Sequence, residues 1–324
     1  MNPCAEADII ILSWNRSADT VAAIESAAEQ LGVDKRILIV DQGSDRTNLS
    51  AIERCVQRIP CAELKKLGRN VGVAAGRNIA TAMGRSRYVI ALDSDAVFAD
   101  NQTVARAVAH MNDNPNLCAI GFRILNYYTQ HNDATSWDYP SGRSPNQAFA
   151  SSRFIGAGHA IRRSTFESVG GYDDQLFFCG EETDLSYRML NTGMRMEYFP
   201  EATVLHKISP EHRVSWDQGR FFYTVRNTLY TQYKFATPLA RRTVAAAAFL
   251  VRGLTNRIPL EAARGIVASA KLCSAFRHTE RDSEIYRLRP ETWDYILECE
   301  PSRREGVLTK FRRQLRGLPR QAQT

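Results

Sequence analysis

Three apolar runs, separated by stretches with helical spacing, constrain the fold of this chain more than any other feature. Each run is continuous, as in strands that are buried on both faces of a sheet. The runs cover residues 8–14, 36–42 and 87–95. The helices between them are predicted at residues 20–30, 49–58 and 73–84. Strands that alternate with helices form βαβ units, so the first hundred residues predict an α/β fold with a mixed, mostly parallel central sheet flanked by helices.

A long polar segment, residues 124–150, interrupts this alternation. It is rich in Asn, Ser, Pro and Tyr, which predicts a long loop or an irregular insertion, and long loops in compact domains are often functional. Before it we predict a helix at residues 101–112 and a strand at 117–122. After it we predict an extended stretch at 153–161, helices at 164–171 and 181–193, and short strands at 194–199 and 202–206.

The C-terminal part of the chain is helical in pattern and carries the excess of positive charge. Residues 233–324 contain 18 Lys or Arg against 9 Asp or Glu, whereas residues 1–232 contain 24 against 26. The sequence therefore predicts a basic helical appendage, which either contacts anionic lipid or is a solvated helix. Residues 301–324 are the most basic part of it. No pattern typical of nucleic-acid-binding domains occurs, so no nucleic-acid partner is expected.

The cysteines and the apolar segments indicate the compartment. The seven cysteines are scattered and include no CxxC pair, which argues against a disulfide framework or a zinc site and fits a reducing environment. The N-terminal segment lacks the basic region of a secretory signal. The longest uncharged stretch of the C-terminal part, residues 243–251, is far shorter than the roughly 20 residues that span a bilayer. A cytoplasmic location is therefore expected.

Two aspartates follow the third apolar run at the point where the predicted strand ends. Asp93 and Asp95 stand two residues apart, so their side chains leave the same face of the chain. Two carboxylates at the carboxyl edge of a parallel sheet form part of a site for Mg²⁺ or Mn²⁺, which can neutralise the charge of a departing diphosphate. The alternative is that Asp-Ser-Asp is a polar turn.

A second acidic cluster begins the helix predicted at residues 181–193. Glu181 and Glu182 fall in its first turn, where acids are favoured by the helix dipole, and Asp184 can pair with Arg188 one turn on. That structural role accounts for all three acids. The functional alternative is that one of the carboxylates faces the cation site and removes a proton from a hydroxyl group during transfer.

Seven short motifs, in this order and spacing, resemble the inverting glycosyltransferases of family 2, which have the GT-A fold. The resemblance covers about residues 8–230 and includes an Asn-Arg turn after the first strand, a VDxxSxD element, an NxGxxxARN stretch, a DxD, a GGFD segment, an FFxxxEDxDLxxR pattern and a closing strand with a histidine. The motifs lie at residues 13–16, 39–45, 68–80, 92–95, 156–173, 177–188 and 200–207.

This resemblance implies a set of site residues. Those expected to hold the nucleotide sugar are Asn15, Asp41, Asp45, Asn70, Gly72, Arg77, Asn78 and Asp93. Those expected to hold the metal, Mg²⁺ or Mn²⁺, are Asp93, Asp95 and His206. Glu182 is expected to be the catalytic base, although the family most often has Asp at this position, and Glu181 stays a second candidate. Asp41 also stands at the end of a predicted buried strand, at the carboxyl edge of the sheet where open α/β sheets bind ligands, which agrees with this role.

The resemblance also implies the reaction and the domains. A hexosyltransferase similar to bacterial glycan or rhamnosyl transferases would move one sugar from a UDP-linked or dTDP-linked donor to a glycan or lipid-linked acceptor in polysaccharide biosynthesis. The enzyme would act in the cytoplasm. Peripheral contact with the inner face of the membrane is predicted by the basic C-terminal residues 301–324 and not by the resemblance. Residues 1–100 would form the nucleotide-sugar half and 101–232 the acceptor-side half of a GT-A domain, followed by the appendage 233–324.

Three other functions were weighed. A nicotinamide dehydrogenase is excluded because no G-x-G-x-x-G follows the first strand. A sugar nucleotidyltransferase has a similar sheet and two-carboxylate site, but it needs a Gly-rich loop with Lys or Arg after that strand, and the chain lacks one. A catalytically inactive nucleotide-sugar-binding protein would show a broken DxD or no acid at the base position, whereas both are intact here.

Overall fold

The structure, a computed structural model, describes residues 5–207, 219–279 and 283–304. Trp216, an aromatic residue that would suit either an acceptor platform or the core, lies outside these ranges, as does most of the basic segment 301–324. The strands are β1 (Ala7–Ser13), β2 (Lys35–Asp41), β3 (Ala62–Lys66), β4 (Tyr88–Leu92), β5 (Ala96–Phe98), β6 (Leu117–Asn126), β7 (Phe149–Ser151), β8 (Gly158–Arg162) and β9 (Arg195–His206). The helices are α1 (Ser17–Ala28), α2 (Arg46–Gln57), α3 (Val73–Ala82), α4 (Thr103–Asp113), α5 (Arg163–Ser168), α6 (Glu181–Leu190), α7 (Phe221–Lys234), α8 (Leu239–Thr255), α9 (Pro259–Thr279) and α10 (Pro290–Cys299).

The strands of the described chain form one nine-stranded sheet. Its order is β3-β2-β1-β4-β8-β6-β9-β5, and β7 pairs with β9. Within it β1, β2, β3, β4, β6 and β9 point one way, whereas β5, β7 and β8 point the other way. The predicted α/β fold with a mixed, mostly parallel sheet is therefore confirmed.

The apolar runs of β1 and β2 are continuous because helices cover both faces of the sheet. Ile9 and Ile11 belong to a core cluster that includes residues of α1, α2 and α4. The intervening Ile10 belongs to a different cluster, which includes Ala80 of α3. Successive side chains of one strand thus enter different layers, which is why the sequence shows no alternation of polar and apolar residues here.

Four strands differ from the sequence prediction. β5 was not foreseen, since it has only three residues and directly follows the Asp93–Asp95 turn. β3 was not foreseen, since four of its five residues, AELKK, are charged or small, as is common on an edge strand. β7 has only three residues and pairs with β9 alone. The two strands predicted at 194–199 and 202–206 are one strand, β9. Its register against β6 shifts after Phe199, so Pro200 lies at a bulge and the strand continues beyond it.

The strand directions bring several chain ends to one edge of the sheet. Ser13 at the end of β1 is in register with Asp41 at the end of β2. β4 ends at this edge with Leu92, directly before Asp93. The end of β9, His206, is in register with Ala96, directly after Asp95. Polar residues after these strands therefore meet at the carboxyl edge, where open α/β sheets bind their ligands.

Helices α7 to α10 form the C-terminal part. Phe221 and Val225 of α7 share a core cluster with Phe249 of α8 and Ala262 of α9. Helix α10 instead joins the core beside the sheet through Ile296. No helix in the described ranges combines the length and the apolarity needed to cross a membrane. The domain boundary at residue 232 stays a prediction.

Lys234 of α7 connects the C-terminal helices to α6. Its side chain is buried, and its Nζ lies 2.5 Å from both Asp173 Oδ2 and Asp184 Oδ1. We expect Lys234→Met to lower the free energy of unfolding by about 3 kcal/mol, because removing one partner leaves buried carboxylate charge poorly compensated. Urea denaturation measures the change. Lys271→Met, at an exposed position of α9, is the control and should change stability by less than about 0.5 kcal/mol.

Candidate active site

A cleft of about 470 Å³ lies at the carboxyl edge of the sheet. The cleft is lined by residues from the loop after β1, from α3, from the turn after β4, from the start of α6 and from the end of β9. The predicted site residues that line it are Arg77, Asp93, Asp95, Glu181, Glu182 and His206. The two candidates for the base, Glu181 and Glu182, therefore share one cavity with the candidate metal ligands, although Asp93 and Asp95 lie far before them in the sequence and His206 follows them at the end of β9.

The guanidinium group of Arg77 joins the two acidic clusters. Arg77 is buried, and its Nη1 donates to Glu182 Oε1 at 3.1 Å. Its Nη2 donates to Asp93 Oδ1 at 3.0 Å and to the carbonyl oxygen of Gly156 at 2.9 Å. A Cβ atom at Gly156 would lie 2.5 Å from Glu182 Oε1, so a larger residue there would displace the Glu182 carboxylate from its contact with Arg77. Arg77 therefore fixes the position of Glu182 relative to Asp93.

Glu181 and Glu182 have different environments at the start of α6. The Glu181 side chain is 3% exposed, and within the described chain its Oε2 has no hydrogen-bond partner. Burial, together with the neighbouring Glu182, raises the pKa of Glu181 well above its usual value. The Glu182 side chain is 19% exposed and faces the cleft beside Arg77. Glu182 is thus the more accessible of the two carboxylates.

Asp93, Asp95 and His206 form a cluster with the composition of a metal site. One ligand atom from each lies within 4.8 Å of the others. Burial and the neighbouring Asp95 raise the pKa of Asp93, against the influence of Arg77. Burial opposes ionisation of Asp95, but hydrogen bonds with His206 and Arg16 lower its pKa to about 2. Two carboxylates and an imidazole are a suitable donor set for Mn²⁺, so these residues fit the metal that the family implies.

His206 is oriented by the long loop that precedes β7. Its Nδ1 lies 3.4 Å from Asp133 Oδ2, and its Nε2 lies 3.5 Å from Asp95 Oδ1. Asp133 is itself buried and accepts hydrogen bonds from Thr135 N at 2.8 Å and from the Ser136 hydroxyl. Burial would lower the pKa of His206, but its hydrogen bonds to Asp133 and Asp95 raise it to about 10. The loop thereby aims Nε2 of His206 at the metal candidates.

Two basic residues of the cleft were not singled out from the sequence. Arg16 donates from Nη1 to Asp95 Oδ2 at 2.7 Å and pairs with Asp19 at 2.9 Å. Lys207, directly after His206, lies 3.3 Å from the same Asp19 carboxylate. Both line the cleft. Arg16 was noted only as part of the Asn-Arg turn, and its position after β1 was the one signal that placed it at this edge.

The residues predicted to bind the nucleotide lie outside the lining of this cleft, except Arg77 and Asp93. Asn15 connects the loops after β1 and β2, since its N donates to Ser44 Oγ at 2.9 Å and its Oδ1 accepts from Asp45 N at 2.8 Å. Asp45 begins α2 by accepting from Asn48 N at 2.9 Å, and that hydrogen bond lowers its pKa. These contacts fix the shape of the two loops.

Asp41 has one carboxylate oxygen in use and one without a partner. Its Oδ1 accepts from the backbone N of Gly43 at 3.1 Å and of Ser44 at 3.0 Å. Its Oδ2 is buried and has no hydrogen-bond partner within the described residues. A buried carboxylate oxygen left unpaired is costly, so Asp41 has the property expected of a residue that accepts a hydrogen bond from a ligand.

The loop before α3 is held close to the loop before α6. Asn70 Oδ1 accepts from Gly72 N at 2.8 Å, and the N of Val73 donates to the carbonyl oxygen of Phe177 at 2.6 Å. Gly72 has φ of 88°, and a Cβ atom there would lie 2.5 Å from that carbonyl oxygen. Only glycine permits this approach. Asn70 and Gly72 therefore shape the loop through contacts within the protein.

The amide of Asn78 contacts the turn before α6. Its Nδ2 donates to the carbonyl oxygen of Tyr172 at 2.8 Å and to Asp174 Oδ1 at 2.6 Å, while its Oδ1 accepts from Tyr172 N at 2.9 Å. Three hydrogen bonds to residues 172–174 give Asn78 a structural function. Its predicted contact with the nucleotide sugar stays a prediction.

Asn227 of α7 holds the segment that leads into α6. Its Nδ2 lies within hydrogen-bond distance of three backbone carbonyl oxygens, those of Leu176, Phe178 and Cys179, at 3.0, 2.8 and 2.6 Å. The neighbouring Arg226 donates to the carbonyl oxygen of Gln175 at 2.7 Å. The Arg226–Asn227 pair thus supports the loop before Glu181.

Proteins with related sequences are glycosyltransferases where their activity is named. The chain is 27% identical to an N-acetylglucosaminyltransferase of Rhizobium meliloti over 282 residues, which are 80% of this chain and 61% of that protein. It is 26% identical to a dTDP-rhamnosyl transferase of Shigella flexneri over 227 residues, which are 63% of this chain and 72% of that protein. It is 28% identical to an uncharacterized protein of Haemophilus influenzae over 169 residues, 50% of this chain and 90% of the other.

Solved structures share the fold at low sequence identity. The mannosyltransferase PcManGT from Pyrobaculum calidifontis, in complex with GDP-Man and Mn²⁺, is 17% identical with a TM-score of 0.56, and the match covers 93% of this chain and 87% of that one. GalNAc-T7 with UDP, GalNAc and Mn²⁺ is 14% identical with a TM-score of 0.60, covering 92% of this chain and 58% of that one. The predicted GT-A fold is confirmed by this similarity.

The family itself is identified by a sequence match that spans half of the chain. Residues 8–170 match the profile described as Glycosyl transferase family 2. The match contains the loops after β1 and β2, the start of α3 and the Asp93–Asp95 segment. This agrees with the resemblance that the seven motifs indicated, and the chain belongs to glycosyltransferase family 2.

Proposed function

We propose that this protein is a non-processive, metal-dependent hexosyltransferase that inverts the anomeric configuration of the sugar it transfers. The observation that carries the proposal is Arg77, which contacts Glu182 on one side and Asp93 on the other within one cleft. A base and a cation site at a fixed separation are what in-line displacement at a sugar carbon needs.

The donor is proposed to be a UDP-linked or dTDP-linked sugar. The unpaired, buried Oδ2 of Asp41 supports a hydrogen bond from the ring N–H that uracil and thymine share. Asn15, Asp45, Asn70, Gly72 and Asn78 are proposed to contribute to this site through the loops that they shape. The named activity of the dTDP-rhamnosyl transferase of Shigella flexneri is consistent with a donor of this class.

Asp93, Asp95 and His206 are proposed to hold Mn²⁺ or Mg²⁺. The metal would supply positive charge at the diphosphate of the donor, where negative charge develops as the sugar departs. Arg16 and Lys207 line the same part of the cleft and add positive charge beside the diphosphate. The two structural relatives contain Mn²⁺, as their descriptions state.

Glu182 is proposed as the catalytic base. It accepts the proton of the acceptor hydroxyl group, and the hydroxyl oxygen forms a bond to the anomeric carbon from the side opposite the nucleoside diphosphate. The bond between that carbon and the diphosphate oxygen breaks, and its electron pair leaves with the diphosphate. Arg77 orients Glu182 for this transfer through the 3.1 Å ion pair.

The acceptor is proposed to be a glycan or a lipid-linked glycan on the cytoplasmic side of a membrane. The relatives from Rhizobium meliloti and Shigella flexneri transfer N-acetylglucosaminyl and rhamnosyl groups, as their names state. Transfer to such an acceptor would place this protein in polysaccharide biosynthesis.

Donor binding and donor turnover test the proposed function. Isothermal titration with UDP, dTDP and GDP, each with Mn²⁺, Mg²⁺ or EDTA, should give metal-dependent binding of a pyrimidine diphosphate. Incubation with UDP-linked and dTDP-linked sugars and lipid-linked glycan acceptors should then release the diphosphate, and NMR of the product should give the opposite anomeric configuration. Binding without turnover across the donor and acceptor panel would instead identify an inactive nucleotide-sugar-binding protein.

Asp133 contacts His206 and is not itself a proposed metal ligand, so a substitution of Asp133 tests whether His206 binds the metal. Asp133→Asn should weaken Mn²⁺ binding by about 10-fold or more, because carboxylates that orient a histidine ligand contribute about this much to metal affinity. Electron paramagnetic resonance titration of Mn²⁺ measures it. Asp138→Asn removes the same charge from the same loop but not from a partner of His206, so its Mn²⁺ affinity should equal that of the wild type. Equal affinities in both variants would contradict a role of Asp133 at the metal site.

A further inference from the structure

Helix α8 is apolar on its outward side as well as its inward side. Ala248, Phe249 and Gly253 are buried against the neighbouring helices. The exposed positions 243, 247, 250 and 254 follow helical spacing on another face and carry Thr, Ala, Leu and Leu. Leu254 is 64% exposed and Leu250 is 40% exposed. Packing within the described chain buries only one of these two apolar faces, so the other is left exposed to solvent.

Helix α9 continues this pattern beyond the turn at residues 256–258. Leu260 and Val267, seven residues apart, are 66% and 59% exposed. Arg264 and Lys271 are also exposed. Arg264 lies between Leu260 and Val267, and Lys271 follows Val267 by four residues, so all four side chains share one face of the helix. Gly253 of α8 approaches Ala262 of α9 so closely that a Cβ atom would lie 2.9 Å from Ala262 Cβ. The two outward rows therefore belong to adjacent helices of one hairpin.

The charge of this hairpin is strongly positive. Residues 239–279 contain seven Lys or Arg and a single acid, Glu261. That acid lies 2.9 Å from Arg264, so it offsets part of one cation. Arg257, in the turn between the helices, is also exposed. We call the exposed set the outer face of the hairpin. Its members are Leu250, Leu254, Arg257, Leu260, Arg264, Val267 and Lys271.

Interleaved leucines and cations favour one kind of partner. Single exposed apolar residues are ordinary, but four on adjacent helix rows form a patch of the kind that marks an interaction. The core of a protein interface is usually depleted of charged residues, with Arg as the exception, whereas helices that lie on a bilayer combine apolar residues with both Lys and Arg that contact anionic headgroups. The excess of seven Lys or Arg over one acid in residues 239–279 therefore favours an anionic bilayer. We propose that the outer face of the α8–α9 hairpin docks this protein on a bilayer surface that contains anionic phospholipid.

Docking at this position is connected to the cleft through α7. Gly265 of α9 packs so closely on α7 that a Cβ atom there would lie 2.8 Å from Val225 Cβ. Two residues further along α7, Asn227 holds the loop that leads to Glu181. One helix, α7, therefore lies between the hairpin and the loop that leads to Glu181. The proposal itself does not depend on sugar transfer, because docking is measured without a donor or an acceptor.

Vesicle flotation of the full chain tests the proposal. The protein should float with phosphatidylcholine vesicles that contain phosphatidylglycerol and not with phosphatidylcholine alone. The double variant Leu254→Glu with Leu260→Glu, and the triple variant Arg257→Gln, Arg264→Gln and Lys271→Gln, should each bind at least about tenfold more weakly, since each lost cation and each lost apolar anchor weakens interfacial binding severalfold.

Matched controls come from another part of the surface. Leu31→Glu makes one such leucine-to-glutamate change at a leucine that is 53% exposed, and is compared with Leu254→Glu alone. The triple variant Arg54→Gln, Arg58→Gln and Lys65→Gln removes three positive charges, as the outer-face triple variant does, from exposed positions. Both should float as the wild type does. Unchanged thermal unfolding and unchanged binding of UDP with Mn²⁺ in all variants would show that the fold is retained.

Three results would overturn the proposal. Flotation that survives both outer-face variants would exclude this face as the contact. Loss of flotation only on removal of residues 305–324 would assign the membrane contact to that basic segment. A dimer that Leu254→Glu with Leu260→Glu dissociates, in a protein that does not float, would show that a second copy of this chain covers the face.

Discussion

Replacing Glu182 with Gln should lower the turnover number of sugar transfer by about a thousandfold, the loss typical when a general base is removed. Gln has nearly the same shape but cannot take up the hydroxyl proton. The cleft around it should persist, because Arg77 keeps its hydrogen bonds to Asp93 and to the Gly156 carbonyl oxygen. Donor affinity, measured by titration with UDP-linked or dTDP-linked sugar and Mn²⁺, should therefore change little while single-turnover transfer is lost.

Glu181→Gln is the matched control at the neighbouring position. Burial raises the pKa of Glu181, so the folded protein favours its neutral form, which an amide resembles. Turnover should stay within about threefold of the wild type, since the Glu181 side chain is 3% exposed and is less accessible to an acceptor hydroxyl group than that of Glu182. A thousandfold loss in Glu181→Gln with an active Glu182→Gln would reverse the two assignments.

The same control predicts a pH dependence of stability. Below the ordinary Glu pKa of about 4.3, residue 181 is protonated in both the folded and the unfolded chain. Its ionisation then does not affect the free energy of unfolding. As pH rises above that value, the unfolded chain releases this proton while the folded chain retains it until its raised pKa is passed, so the wild type loses stability over this interval. Glu181→Gln should thus be more stable than the wild type at neutral pH and equal to it below about pH 4 by urea denaturation.

Strands and helices with a clear hydrophobic pattern could be predicted from the sequence. Strands that form only because a neighbouring strand pairs with them could not. The strands β1, β2 and β4 are continuous apolar runs because helices cover both faces of the sheet, a condition that leaves a direct trace in the sequence. β3 carries Glu63, Lys65 and Lys66 and becomes a strand only because β2 offers it a partner. Pro200 suggested a break within β9, but a bulge accommodates it.

The grouping of residues in the candidate site could be predicted where it follows from their place at the ends of strands and helices. Asp93 and Asp95 could be assigned to one location because they end a buried strand, and Glu182 because it begins a helix. Asp133 could not, since its contact with His206 depends on the path of a long loop that has no periodic pattern. Asn78 was expected to contact the donor, yet its hydrogen bonds to residues 172–174 depend on a neighbour about 95 residues away.

Replacing Asp95 with Asn should abolish metal binding and transfer together. Asp95 is the one acid of the cluster that faces both His206, at 3.5 Å, and Arg16, at 2.7 Å. The amide loses the negative charge that a divalent ion requires, so the loss of Mn²⁺ affinity should exceed the roughly 10- to 100-fold effect of an outer partner such as Asp133. Transfer should fall by about a thousandfold, because the charge on the departing diphosphate is no longer neutralised.

Asp100→Asn separates this effect from a general loss of charge near β5. Asp100 lies five residues further along, its side chain is half exposed, and it pairs with Arg106 at 2.7 Å outside the cleft. This variant should bind Mn²⁺ and transfer sugar as the wild type does. Mn²⁺ titration by electron paramagnetic resonance and product formation with and without EDTA measure both quantities. Full Mn²⁺ affinity in Asp95→Asn, or wild-type transfer that persists in EDTA, would remove the metal from the mechanism and leave Glu182 and Arg77 as the core of the site.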